Sequence, residues 1–304
     1  NDKHSIGGSF SSVYSTNDRS FINTTDILYD DSRPDNRLVT ENVLDRSLRY
    51  FSTTGYYEFK IDTMGQKLDV DFNYTSFDRD NTSTLFTENI AGEDLGFSDQ
   101  RNEQPGTTEI YVAQLDYTKP FSKAVTLQAG GRYSSASLDN DLRVFNFENP
   151  DWNLNTLQSN RFLFDETITA AYAKLNLKTD DWEITAGLRY EDSRSTGYSV
   201  TLDSTNVRDI RRFFPSASVS RNIVGDLGAA LAYSYRIQRP SYSDLNPFVM
   251  FLDPLTSERG NPFLRPELTH SAKLSLTYEK QPFFNLEYNR TNNFMALVTE
   301  QNDA

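Results

Sequence analysis

The chain has 304 residues, a formal net charge of −13, 21 Phe and 17 Tyr, but a hydrophobic fraction of only 37%. The acidic charge argues against a nucleic-acid partner, whose phosphates it would repel, and the absence of cysteine excludes disulfides and thiolate metal sites. No run approaches eighteen consecutive apolar residues, which excludes a transmembrane helix. Many aromatic and few aliphatic residues instead suit strands that have one apolar and one polar face.

Period-two alternation of apolar and polar residues is the dominant pattern, and it predicts an all-β fold of about eleven long strands without a helix. One example per strand, in chain order, is Phe10, Phe59, Phe72, Leu115, Leu127, Leu175, Leu188, Val219, Leu231, Leu276 and Leu286. Many runs reach twelve or more residues, which exceeds the usual strand of a soluble sheet. No change in composition marks a boundary, so residues 1–304 are interpreted as a single domain.

The links between the predicted strands alternate between short and long. The short links cover residues 62–66, 119–123, 179–181, 222–226 and 279–282, and the long ones cover about 15–46, 80–106, 139–164, 197–209 and 238–266. In an antiparallel up-and-down meander this alternation places every long loop at one end of the sheet. A segment of a transmembrane β-barrel has this asymmetry.

The alternation also predicts which side chains share a face. One face, expected to meet lipid, contains Val125, Leu127, Leu175, Leu177, Ile184, Leu188, Leu231 and Leu276, and the opposite face contains Gln128, Arg132, Lys174, Arg189 and Arg236. Buried charges in a dry core would cost several kcal/mol each, whereas a water-filled or plugged lumen accepts them. The alternative is a one-sided sheet that faces solvent.

The stretch from 238 to 266 is too long and too poor in secondary structure for an ordinary connection. Its prolines restrict the backbone, and its aromatic residues allow two interpretations, a compact lid or a ligand platform. These aromatic residues are Tyr242, Phe248, Phe251 and Phe263.

Short motifs in and around this stretch resemble the TonB-dependent receptor type of outer-membrane β-barrel. They are Phe214-Pro215-Ser216, Tyr235-Arg236-Ile237, Arg239-Pro240, Leu245-Asn246-Pro247-Phe248, Gly260-Asn261-Pro262 and Arg265-Pro266-Glu267. The resemblance covers about residues 212–290 and implies the outer membrane of a Gram-negative bacterium, with the lipid bilayer as a partner. It also implies uptake of a bulky nutrient such as a siderophore, a glycan or a peptide. The plug and the segment that pairs with the TonB energy-transducing complex are expected in a missing N-terminal region.

Candidate ligand-binding residues lie on the lumen side or in the long loop: Arg132, Arg189, Arg236, Arg239, Tyr242, Asn246, Phe248 and Asn261. Arg236 is expected to face the lumen and to need a carboxylate or carbonyl partner. Arg239, three residues later, is expected on the other face, with Asp244, Asp253 or Glu258 as its partner.

Catalysis finds no support, because neither His4 nor His270 stands in a spacing typical of a nucleophile or a metal site. We therefore expect no enzyme activity, no metal and no cofactor, and we place His270 at a strand rim. The competing interpretation of the whole chain is a soluble or secreted β-rich binding or adhesion module.

Overall fold

A computed structural model describes residues 3–28, 35–253, 255–279 and 281–300, without the side chains of 250–252. Fourteen strands and one single-turn helix lie in these ranges. The strands are β1 His4–Ile27, β2 Asn36–Lys60, β3 Lys67–Ala91, β4 Gln100–Pro120, β5 Val125–Glu148, β6 Asp151–Leu154, β7 Asn160–Lys178, β8 Trp182–Ser199, β9 Ser204–Val224, β10 Leu227–Gln238, β11 Val249–Asp253, β12 Thr256–Arg259, β13 Glu267–Tyr278 and β14 Gln281–Asn292; the helix is α1 Tyr242–Leu245. None of the described helical residues forms a helix that is long and apolar enough to span a membrane.

Eleven of the strands form one continuous antiparallel path in the order β1-β2-β3-β4-β5-β7-β8-β9-β10-β13-β14, and β6 pairs with β5 beside it. The predicted up-and-down meander is therefore confirmed. One end of the sheet, the turn end, has the short links 61–66, 121–124, 179–181, 225–226 and 279–280. In the link 225–226, Gly225 has a φ of 54°, a left-handed conformation that glycine adopts without steric cost.

At the other end, the hairpin end, four of the five predicted long loops are wrong in their extent. The links there cover only 28–35, 92–99, 149–159 with β6 inside, and 200–203, and the rest of each predicted loop is strand. Most residues of these strand ends are polar, and apolar residues such as Leu142, Val144, Phe162 and Phe164 are out of phase with the apolar residues of the rest of their strands, so the alternation by which strands are recognised does not continue. Their backbone hydrogen-bond ladders nevertheless continue from the sheet into long protruding hairpins.

The register separates two faces as predicted. One row of directly paired residues runs across seven strands and consists of Val125, Leu177, Ile184, Val219, Leu231, Leu274 and Leu286. We call this side of the sheet the apolar face. The opposite side, the polar face, has the row Gln128, Lys174, Gly187, Ser216 and Ser234, and Arg132, Arg189 and Arg236 are in phase with it.

The buried apolar core lies on the polar face near the hairpin end. Leu142 and Val144 of β5 and Phe162 and Phe164 of β7 are buried there together with Leu245 and Phe248. The last two residues belong to the link 239–266, which thus folds back onto the wall of the sheet.

Close packing on the polar face leaves no room for a side chain at Gly130 of β5. A Cβ at this position would lie 2.6 Å from the Leu115 carbonyl oxygen and 2.8 Å from a ring carbon of Tyr172. Gly131, on the apolar face, has room, because its nearest neighbour would be the Ala170 carbonyl oxygen at 3.6 Å.

We expect Gly130→Val to lower the free energy of unfolding by about 1–3 kcal/mol, because the side chain would displace the backbone of β4 or the Tyr172 ring. Gly131→Val is the matched control and should change this free energy by much less. Urea unfolding of the detergent-solubilised protein measures both. Equal destabilisation by the two variants would contradict the packing argument.

Candidate functional site: a membrane band and a loop fixed to the polar face

The apolar face forms an exposed band. Leu188, Leu231 and Leu286 leave 48%, 53% and 59% of their surface accessible, although side chains of this kind are usually buried. The band continues across the sheet through Phe10, Phe72, Leu115 and Leu175, which are also exposed. An apolar surface of this extent marks contact with a membrane or another apolar partner.

Aromatic rings border the band at both ends. Towards the hairpin end, ring centroids lie 4.7 Å apart in the pair Tyr74–Tyr111 and 4.9 Å apart in Tyr190–Phe213. Towards the turn end, Trp182 lies under the Arg221 guanidinium at 4.8 Å. Such aromatic belts are typical of the two membrane–water interfaces.

The height of the band fits a bilayer. Trp182 and Tyr190 belong to opposite belts, and the segment from one to the other, both included, is nine residues of β8. Strands tilted by about 45° need about nine to eleven residues to cross the hydrocarbon layer. The residues of β8 beyond Tyr190, up to Ser199, belong to a protruding hairpin.

On the polar face, the candidate arginines have different surroundings. The Arg189 Nε donates to Glu191 Oε1 at 2.7 Å. Arg132 and Arg236 are exposed, and within the described ranges neither forms an ion pair. The register with Thr269 places Arg236 on the polar face, and that this face lines a lumen stays a prediction. The carboxylate or carbonyl partner expected for Arg236 is not found among the described residues.

Arg239 contradicts the prediction made for it. Its Nη2 donates to Glu191 Oε2 at 2.7 Å and to Ser193 Oγ at 3.3 Å, and its Nε lies 3.6 Å from Glu166 Oε1. These acceptors belong to β7 and β8 rather than to the loop. Because β10 ends at Gln238, the next residue no longer follows strand alternation, and its side chain reaches the same face as Arg236.

Aromatic contacts extend this attachment. The Tyr242 ring lies 5.1 Å from that of Phe164, and the Phe248 ring meets Phe162 edge-on at 6.4 Å between centroids. Burial raises the pKa of the Tyr242 hydroxyl. The lid interpretation is thus supported for Tyr242 and Phe248. Phe263 is 72% exposed, and the Phe251 side chain lies outside the described part of the chain.

Asn246 and Asn261 shape the loop itself. Gly260 N donates to the Asn246 carbonyl at 2.9 Å and Asn261 N donates to the Asp244 carbonyl at 2.6 Å. The side-chain oxygens accept from the backbone two residues on, at Phe248 N (3.2 Å) and Phe263 N (2.9 Å). These bonds join the loop segments 244–248 and 260–263, which flank the hairpin β11–β12. We call these segments the two arms of the loop, and together they form its stem.

The far arm of the stem is tied to β9. Arg208 Nη2 donates to the Pro262 carbonyl at 3.3 Å, and Asn206 Nδ2 donates to the same oxygen. Between the two arms and the wall lies a small cavity bordered by Glu166, Ser193, Arg208, Arg239 and Tyr242. Within the described ranges, no three His, Cys, Asp or Glu side chains are arranged to hold a metal ion.

Sequence reasoning missed Glu166, Glu191 and Arg208. Glu191 follows Arg189 by two residues and therefore shares its face, which was a usable signal. Arg208 lies in a range that was predicted to be loop, so no face could be assigned to it before β9 was known to begin at Ser204.

Several solved structures of other proteins are similar to this chain. In the structure of the ferric citrate transporter FecA in the unliganded form, the match covers 88% of this chain and 41% of that chain, with 12% identity and a TM-score of 0.53. The ferric preacinetobactin receptor BauA from Acinetobacter baumannii matches with 11% identity, 86% and 44% coverage and a TM-score of 0.46. The alcaligin receptor FauA from Bordetella pertussis matches with 14% identity, 97% and 52% coverage and a TM-score of 0.44.

The chain spans about half the length of these structures or less. No curated protein sequence matches it. Residues 59–304, most of the chain, match the outer membrane protein beta-barrel family. With its exposed apolar band, its two aromatic belts and its meander of long strands, this chain belongs to that family and is a barrel segment of a Gram-negative outer membrane.

Proposed function

We propose that the chain forms part of the wall and the extracellular loops of a TonB-dependent receptor that takes up a bulky nutrient, a siderophore, a glycan or a peptide. The observation that carries the proposal is the contrast between the two faces. The apolar face is exposed across the sheet, while the opposite face carries arginines and is partly covered by the 239–266 loop. FecA is a ferric citrate transporter, and the shared fold supports a transport role rather than catalysis.

The TonB energy-transducing complex is the proposed partner, through a segment outside this sequence. The ligand is proposed to meet Arg132 and Arg236, whose guanidinium groups are exposed on the polar face. Arg189, Arg239, Tyr242, Asn246, Phe248 and Asn261 are proposed to act by holding the wall and the loop in shape for that contact. The soluble or secreted binding module is disfavoured, because its apolar face would be exposed to water.

Leu175→Arg tests the membrane wall. Leu175 lies within the apolar band, directly opposite Leu127 and Ala186, and an arginine near the bilayer midplane costs about 2–4 kcal/mol. We expect less protein with heat-modifiable migration in the outer-membrane fraction. Lys174→Arg, on the polar face, is the control and should assemble normally; unchanged assembly of Leu175→Arg would contradict the assignment of the faces.

Arg239→Ala tests the attachment of the loop. The variant removes one of the two arginines that pair with the carboxylate of Glu191, which is only 6% exposed. Loss of one partner of a buried ion pair costs about 3 kcal/mol of stability. We expect faster proteolysis between Tyr242 and Arg265. The control is Arg211→Ala, because the Arg211–Asp192 pair is largely exposed and such pairs contribute about 0–1 kcal/mol.

Arg236→Ala tests the ligand role. The variant should leave the loop as resistant to protease as the wild type, because the Arg239 contacts remain. Uptake should fall in a deletion strain complemented with the variant and grown on a ferric siderophore, an oligosaccharide or a peptide as the sole source of iron, carbon or nitrogen. The proposed division of roles is wrong if Arg236→Ala and Arg239→Ala affect uptake and proteolysis in the same way.

A further inference from the structure

Both histidines of the chain lie in the aromatic belts of the apolar face and stack on aromatic neighbours there. At the hairpin end, the His270 ring stacks on Tyr235 with centroids 4.1 Å apart, and its Nδ1 lies 2.8 Å from the Tyr233 hydroxyl. At the turn end, His4 stacks on Phe59 at 4.7 Å, and its Nδ1 lies 2.8 Å from the Tyr57 hydroxyl. The same geometry therefore occurs at both membrane interfaces.

Arginines distinguish the hairpin-end cluster from the turn-end cluster. Arg290 stands directly opposite His270 on β14, and directly paired side chains lie about 4.5–5.5 Å apart at Cβ. Arg212 Nη1 donates to the Tyr235 hydroxyl at 2.7 Å. By the β8–β9 register Arg212 stands opposite Glu191 of the polar face, and its side chain reaches the Tyr235 ring beyond the end of the β9–β10 ladder at Ser216–Ser234. Arg290 and Arg212 are both exposed.

The charged surroundings of these two arginines differ from those of their neighbours. Neither Arg290 nor Arg212 forms an ion pair with the residues that the structure describes, whereas the neighbouring Arg211 is paired with Asp192 at 3.0 Å. The apolar-face positions beyond the belt on β10, β13 and β14 are Ile237, Leu268 and Asn292. On β3, β4, β5 and β7, by contrast, the apolar-face positions near the hairpin end are acidic: Asp78, Glu109, Asp139 and Asp165.

We propose that His270, Arg290 and Arg212 bind the phosphate of an anionic lipid headgroup in the leaflet at the hairpin end. The cluster lies at the border of the band, at the depth where headgroups meet the aromatic belt. Guanidinium groups match phosphate oxygens with bidentate hydrogen bonds. The Tyr233 hydroxyl can donate to His270 Nδ1, which leaves the ring hydrogen on Nε2, and stacking on Tyr235 holds the ring in place.

The test uses the complete protein that contains this chain, purified in detergent and titrated with phosphatidylglycerol or phosphatidylcholine, with bound lipid counted by native mass spectrometry. The wild type should prefer phosphatidylglycerol. Arg290→Gln should weaken that binding about fivefold, and the double variant with Arg212→Gln about 25-fold, since a basic residue near an anionic surface contributes about a factor of five.

Two controls separate a built site from diffuse attraction. Arg211→Gln removes a charge that is already paired, and His4→Phe alters the matching cluster at the turn end; both should bind phosphatidylglycerol as the wild type does. The proposal is overturned if the wild type binds the two lipids equally, if the double variant keeps wild-type affinity, or if Arg211→Gln loses as much as Arg290→Gln. Displacement of the lipid by millimolar inorganic phosphate would reassign the cluster to a free anion. If the double variant does not reach the folded, heat-modifiable form, Arg290→Gln with Arg290→Lys as its charge-preserving partner decides the question.

Discussion

Continuous antiparallel hydrogen bonding is the constraint on which the other features depend. In hydrocarbon an unpaired N–H or C=O group costs several kcal/mol, so strands that cross a bilayer must be paired on both sides. From β2 to β13 every strand of the main path has a neighbour on each side. The pairing fixes the register, and a slip of one residue would exchange the two faces. The apolar band, the belts and the arginines of the polar face all follow from this register.

The two faces place different demands on charge. On the apolar face, the side chains within the band are apolar, and charges such as Asp192 and Arg211 begin only beyond the belt. On the polar face, charges lie at the height of the band, as with Arg189, and the more buried ones are paired, as with Arg239 and Glu191. Burial of a charge without a partner would be costly, and these ion pairs allow the polar face to carry partly buried charges.

The 239–266 loop shows how a segment with little secondary structure keeps a defined shape. One end is held to the wall by Arg239, which contacts Glu166 and Glu191. The apolar side chains of Leu245 and Phe248 are buried against the β5–β7 wall, and backbone bonds of Asn246 and Asn261 close the stem. Each attachment uses a different kind of interaction, and together they place the loop over the polar face.

The sequence by itself determined the all-β class, the order of strand pairing and the two faces, because period-two alternation and tight turns are local properties of the chain. It also pointed to Arg236 on the polar face. It did not determine the length of the protruding hairpins, in which the alternation of the strands does not continue, nor the partners of Arg239. Those depend on which strands the register brings beside the loop: Glu166 and Glu191 lie far from Arg239 in sequence and meet it only because β7 and β8 are neighbours in the folded sheet.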